Sequence, residues 1–135
     1  MSELDRFSDI PAGDIPDLVP ILAVAAAAKQ GATFTGVGRL RLKESDRIAT
    51  VAAMLTNLGI SVETGPDTLT VHPGVFRGGS VSAAGDHRIA MAAAIAATAA
   101  QGDVLLTGAE AVNKSYPRFW EDFRILGGKY EQHIR

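Results

Sequence analysis

The strongest constraint on what this chain can fold into is an internal repeat at a constant offset. Gly31 maps onto Gly102, Lys43 onto Lys114, Arg47 onto Arg118 and Leu55 onto Leu126, while Ile48 and Ala52 map onto Phe119 and Phe123. Each copy opens on an aspartate beside an alanine-rich stretch, Asp17 in one and Asp86 in the other. Each closes on Leu-Gly and a short strand-like stretch. A repeat this long is one supersecondary unit used at least twice. The 135 residues are enough for one body with a real core.

The spacing of apolar residues fills in the units. In the first, a helix is expected over about 17–30, with Pro16 near its first turn and Gly31 ending it. A strand follows at 32–37. A second helix covers 44–58, where Ile48, Val51, Leu55 and Leu58 keep helical spacing. Strands at 60–64 and 68–72 flank the turn Gly65-Pro66-Asp67. In the second unit, Ser80–Ser82 reads as a strand, 86–101 as a helix stopped by Gly102, and Val104–Thr107 as a strand. Pro117 opens a helix to Leu126, and Lys129–Glu131 reads as a last strand. The units run over about 9–75 and 76–131. The stretches Leu18–Ala28 and Ile89–Ala100 are apolar all round, which predicts burial on every side. The other two helices are amphipathic and belong nearer the surface. Trp120, on the last of them, is expected in the core.

Composition narrows the function classes. Charged residues are 21% and the formal net charge is −2, so nucleic acid and anionic membranes are not expected partners. There is no cysteine, which excludes disulfides, thiolate metal sites and cysteine nucleophiles. His72, His87 and His133 are too far apart in sequence to suggest a metal site, and His72 and His133 read as surface residues. The N-terminus lacks the basic and apolar regions of a signal peptide. The longest alanine-rich run, Ile89 to Ala100, is too short to span a bilayer. A cytoplasmic location is the expectation.

Charges collect where helices begin. Asp17 precedes the first apolar helix, Lys43-Glu44-Ser45-Asp46-Arg47 opens the second, Asp86-His87-Arg88 the third, and Asn113-Lys114-Ser115 precedes the last. Helix N-termini carry free N–H groups and partial positive charge, which favour anions. Lys43, Arg47, Arg88 and Lys114 at such ends work against helix stability unless an anion offsets them. Taken one at a time, these segments read as ordinary caps and solvated faces. The recurrence of Lys43 and Lys114 at equivalent places points instead to one shared, anion-facing side. From the residues alone both readings stand.

The motifs also resemble a known family. Leu40-Arg41-Leu42-Lys43-Glu44-Ser45-Asp46-Arg47 and Gly85-Asp86-His87-Arg88-Ile89-Ala90-Met91 are similar to two signatures of 5-enolpyruvylshikimate-3-phosphate (EPSP) synthases. Asn113-Lys114-Ser115-Tyr116-Pro117 and Ile15-Pro16-Asp17 resemble two further family stretches, in family order. The resemblance covers about residues 9–131. It implies an α/β fold of repeated βαβαββ units, with buried parallel helices and outer mixed sheets, part of an inside-out α/β barrel domain. It also implies a shikimate-pathway transferase that makes precursors of the aromatic amino acids. Such an enzyme moves the enolpyruvyl group of phosphoenolpyruvate to the 5-hydroxyl of shikimate 3-phosphate and releases phosphate, with no metal or organic cofactor.

By the same resemblance, Asp17 takes the proton of the attacking hydroxyl, Lys43 partners it, and Glu44 serves the methylene carbon. Arg47 and Arg88 clamp a carboxylate, and Lys114 contacts phosphate. Asp86 and His87 are assigned to capping or support. Arg39 stands where some family members have an asparagine. Family enzymes are several times longer, with an active site between two domains. The chain is thus expected to be a C-terminal part that lacks the N-terminal domain and has no turnover alone. A UDP-N-acetylglucosamine enolpyruvyl transferase relative, or a non-catalytic anion-binding fragment, are the alternatives.

Overall fold

The computed structural model of the chain describes residues 8–43 and 46–131, Lys114 by its backbone alone. Two βαβ motifs form its frame. In the first, β1 (Ser8–Pro11) leads through a 3-10 turn at Pro16–Leu18 into α1 (Val19–Ala28) and then β2 (Ala32–Thr35). In the second, β5 (Gly79–Ser82) leads through α3 (His87–Thr98) to β6 (Val104–Thr107). β1 pairs with β2 in parallel, Ser8 opposite Ala32, and β5 with β6 in parallel, Gly79 opposite Val104. Parallel neighbours need such a helical crossover. Ser8 and Gly79, which open β1 and β5, stand at the same offset as Gly31 and Gly102, so the two motifs follow the repeat.

Between the motifs the chain adds a 3-10 helix (Gly38–Leu42), α2 (Arg47–Asn57) and the hairpin β3 (Val62–Thr64) and β4 (Thr68–Val71). β4 pairs antiparallel with both β2 and β3, giving a four-stranded mixed sheet in the order β1-β2-β4-β3. After β6 come a 3-10 helix (Ala109–Lys114) and α4 (Phe119–Ile125). Gly38 and Ala109, where the two 3-10 helices start, keep the repeat offset as well. α1 packs on α3, and α2 touches both. The result is a mixed α/β body, as the fold class expected from the sequence requires at that level.

Local chemistry explains most element ends. Gly31 has φ +79° and its N–H reaches the carbonyl of Ala26 at 2.8 Å, closing α1. Gly59, at φ +89°, closes α2 while the Ile60 N–H bonds Leu55 O at 2.8 Å. A left-handed residue after a helix is a common stop, and glycine adopts it without a Cβ penalty. Asp46 caps α2, its side chain accepting the Ala49 N–H at 3.2 Å. The helix expected from 44 therefore begins at Arg47, and residues 44–45 lie outside the described set.

Two expectations are corrected, and one strand goes beyond them. α3 ends at Thr98, with Ala99 as its cap, so Gly102 is not its stop. The sequence pattern does not announce β1. Its residues, Ser-Asp-Ile-Pro, have neither alternation nor β-branched richness, and among the described residues the strand holds an edge where only β2 pairs with it. The strand expected at Lys129–Glu131 is absent. There the Tyr130 ring lies against Trp120 and Phe123, and the Arg124 guanidinium stands 4.4 Å from its centre. The second unit thus lacks the strand that would complete the likeness of 86–131 to 17–64.

The main core joins Val19, Val24, Phe34, Leu40, Ile48, Leu55, Leu69 and Ile89. A second, smaller cluster lies under α4, around Ala90, Val112, Phe119 and Phe123. Trp120 is half-buried against it and donates its indole N–H to Ala109 O at 3.2 Å. α1 and α3 are not covered on every side. On α1 the face of Leu18, Ala25 and Ala28 is open, and on α3 Ile95 and Thr98 are open. α2 is amphipathic as expected, with Ile48, Val51, Met54 and Leu55 inward. Among the described residues no helix is long and apolar enough to cross a membrane.

Candidate functional site

Three chain segments start at one place. The 3-10 turn before α1 presents Asp17, the first residue of α2 is Arg47, and α3 opens with Asp86 as cap and Arg88 in its first turn. Arg47 is 1% exposed and Asp86 is wholly buried. The Arg47 Nε donates to Asp86 Oδ2 at 2.8 Å and Nη2 donates to Oδ1 at 3.2 Å, a fork-to-fork pair. Its Nη1 donates to Asp17 Oδ1 at 2.8 Å. The Arg88 Nη2 approaches the other Asp17 oxygen at 3.7 Å. Asp17 itself is 54% exposed, so the cluster runs from a buried pair to an open carboxylate.

The electrostatics follow from this layout. The Arg47 hydrogen bond holds the Asp17 carboxyl below the usual carboxylate range. Partial burial pushes the other way, and the charges of Arg88, Arg47 and Lys43 add to the lowering. Beside the cluster, Pro16, Arg39, Leu42 and Lys43 line a shallow depression of about 230 Å³. The Arg88 Nε is shielded from solvent and has no hydrogen-bond partner among the described residues.

The structure therefore brings Asp17, Arg47 and Arg88 together and places Lys43 within electrostatic reach. Glu44 lies outside the described residues. Lys114 ends the 3-10 helix that packs on α3, and Lys43 directly follows the equivalent 3-10 helix. The two lysines match in the order of elements, though the first 3-10 helix packs on α2 and the second on α3. The equivalence fails for Arg118, the counterpart of Arg47. It is 66% exposed and makes surface pairs with Glu121 and Asp122.

Sequence reasoning misses the partner of Arg47. The resemblance assigns Asp86 to capping or support, and its carboxylate does accept the Arg88 N–H at 3.0 Å. The available signal is that a charge closing onto an all-apolar helix must be buried with a counter-charge. Arg39 donates to the Gly13 carbonyl, Arg41 pairs with Asp46 at 3.3 Å, and His72 pairs with Glu63 on the surface.

Comparison with known proteins gives the site a setting. A family model described as EPSP synthase (3-phosphoshikimate 1-carboxyvinyltransferase) matches residues 3–123. The 3-phosphoshikimate 1-carboxyvinyltransferase of Clostridium kluyveri is 42% identical over 125 residues, which is 91% of this chain and 29% of that protein. The enzyme of the same name from Clostridium acetobutylicum is 46% identical over 121 residues, 88% of this chain and 28% of that protein. The chain thus spans under a third of the length of these curated relatives. The solved EPSP synthase of Acinetobacter baumannii superposes with a TM-score of 0.85 at 30% identity, over 93% of this chain and 31% of that one. The enolpyruvyl transferase NikO of Streptomyces tendae gives 0.70 at 24% identity, over 92% of this chain and 28% of that one, a likeness of fold.

Proposed function

The chain belongs to the EPSP synthase family, and on that premise we propose that it is a C-terminal part of such an enzyme and forms one wall of its active site. The reaction is transfer of the enolpyruvyl group of phosphoenolpyruvate to the 5-hydroxyl of shikimate 3-phosphate, with release of phosphate. The observation that carries the reading is the convergence of Arg47 and Arg88 on the two oxygens of one exposed carboxylate. That geometry suits any small carboxylate. In the free chain Asp17 holds the seat.

The roles follow from this exchange. Phosphoenolpyruvate puts its carboxylate between Arg47 and Arg88, and Asp17 gives up its bonds to them. A carboxylate released from two guanidinium groups is a stronger base. Asp17 then accepts the proton of the attacking hydroxyl, with Lys43 beside it. Glu44 serves proton traffic at the methylene carbon, and Lys114 meets the departing phosphate, where fixed positive charge lowers the barrier. The remaining contacts, to shikimate 3-phosphate above all, belong to an N-terminal domain outside this chain. The working location is the cytoplasm.

The chain alone is then a half-site that binds and does not turn over. Lost positioning can cost about 7–11 kcal/mol of barrier. A titration with phosphoenolpyruvate followed by backbone amide shifts tests the binding, and a phosphate-release assay with both substrates tests turnover. Shifts should gather at 43–47, 86–88 and 114–115 and fade with salt. Shifts elsewhere, or none at millimolar ligand, would remove the seat. Sustained phosphate release by the chain alone would overturn the half-site reading.

A further inference from the structure

Asp86 has no part in the roles above, yet no group at the cluster is more deeply buried. Its Oδ2 accepts from Arg47 Nε at 2.8 Å. Its Oδ1 accepts both from Arg47 Nη2 at 3.2 Å and from the backbone N–H of Arg88 at 3.0 Å. One carboxylate thus grips the guanidinium of the first arginine and the backbone from which the second departs. Capping alone does not require this. Asparagine and serine cap as well, and a cap need carry no charge. Burying a charge is costly unless it is paired, so the full burial of Asp86 calls for more than helix initiation.

The pairing has a geometric consequence. With Nε and Nη2 held by Asp86, the Nη1 of Arg47 is left facing Asp17. Two parallel hydrogen bonds fix the plane of a guanidinium as well as its position. An unsupported arginine side chain carries about 2 kcal/mol of rotamer entropy and would point in many directions.

We propose that Asp86 is a positioning residue. It sets the plane of the Arg47 guanidinium and anchors Arg88 at the start of α3, so that both cations face the seat that Asp17 holds in the free chain. The proposal rests on the reading of that seat as the place of a carboxylate ligand.

The test uses Asp86→Asn in this chain, with phosphoenolpyruvate as probe. Asparagine keeps an acceptor for the cap and removes the charge and half of the fork. The sign of the effect separates two accounts. By charge alone, losing a carboxylate beside the cations tightens anion binding. By positioning, binding weakens, roughly tenfold on the scale that outer partners of ligand-holding side chains reach. The Arg47 Nε–H resonance should also lose its protection from solvent exchange in the variant. A folded variant that binds as well as the wild type, or more tightly, overturns the role of Asp86 while leaving the seat intact. A wild-type chain that binds no phosphoenolpyruvate overturns the seat, and the role with it. If the variant fails to fold, the wild type decides. Its Arg47 Nε–H must stay protected with and without phosphoenolpyruvate, and exchange at the rate of a surface arginine overturns the proposal.

Discussion

Arg47 opens a helix, where a cation is unfavourable, and is nonetheless 1% exposed. The cost is met by two carboxylates, one buried and one open. Such a pair is weak evidence for stability, because desolvation consumes most of the attraction. Removing one partner is another matter. Asp86→Ala should cost about 3–5 kcal/mol in urea unfolding, since it strands a buried guanidinium. The paired replacement of Arg47 by Met and Asp86 by Leu should recover most of that loss. A single variant as stable as the wild type would show that the pair is not dry. For Asp17 the sign follows from its lowered value. Its stabilising contribution is present above the unfolded-state value and is lost as pH falls through the lower, folded value. The stability difference between wild type and Asp17→Asn should therefore hold near neutral pH and shrink as pH falls below the ordinary carboxylate range. A difference that persists at low pH would assign the effect to packing. Asp17, Arg47 and Arg88 stand out in the sequence as charges at three helix starts, and the structure brings them together. The burial of Arg47 is not legible in the sequence, and its repeat counterpart Arg118 shows why. The same residue type at the same repeat position lies on the surface there. Local sequence does not say which helix start faces a neighbour.

At the scale of elements, the helix stops at Gly31 and Gly59 are readable, whereas α3 ends at Thr98, ahead of Gly102. Gly59 combines φ +89° with a Cβ position 3.1 Å from Arg77 atoms. Gly59→Ala should destabilise by about 1–2 kcal/mol, read as a shifted urea midpoint, from the left-handed conformation alone. No shift would mean that the turn relaxes to another conformation. Strands are less readable. β2 and β4 announce themselves by Thr, Val and Phe and alternating burial. β1 carries no such pattern, because an edge strand paired on one side needs little apolar surface. Its position is nonetheless implicit in the repeat, since β5 is its counterpart in the second unit. Lys129–Glu131 shows the opposite error. A short stretch of strand-like type makes no strand without a neighbour to pair with.

For the whole molecule, Leu18 and Ile95 leave apolar surface open along α1 and α3, and Leu126 adds more at the end of α4. Ile95, Phe119, Phe123 and Leu126 line one groove. Exposed apolar area of this kind favours association. Sedimentation should show self-association that grows with concentration and weakens in the Ile95→Lys, Leu126→Lys chain. A strictly monomeric wild type at high concentration would contradict this. The central claim concerns the seat where three segments begin, occupied by Asp17 when no ligand is present. The carboxyl carbon of Asp17, titrated by NMR with and without phosphoenolpyruvate, tests it most directly. In the free chain Asp17 should titrate below the usual carboxylate range. With phosphoenolpyruvate bound it should titrate higher, because the ligand takes the guanidinium groups and adds negative charge of its own. An Asp17 that titrates in the usual range and does not respond to phosphoenolpyruvate would contradict the account.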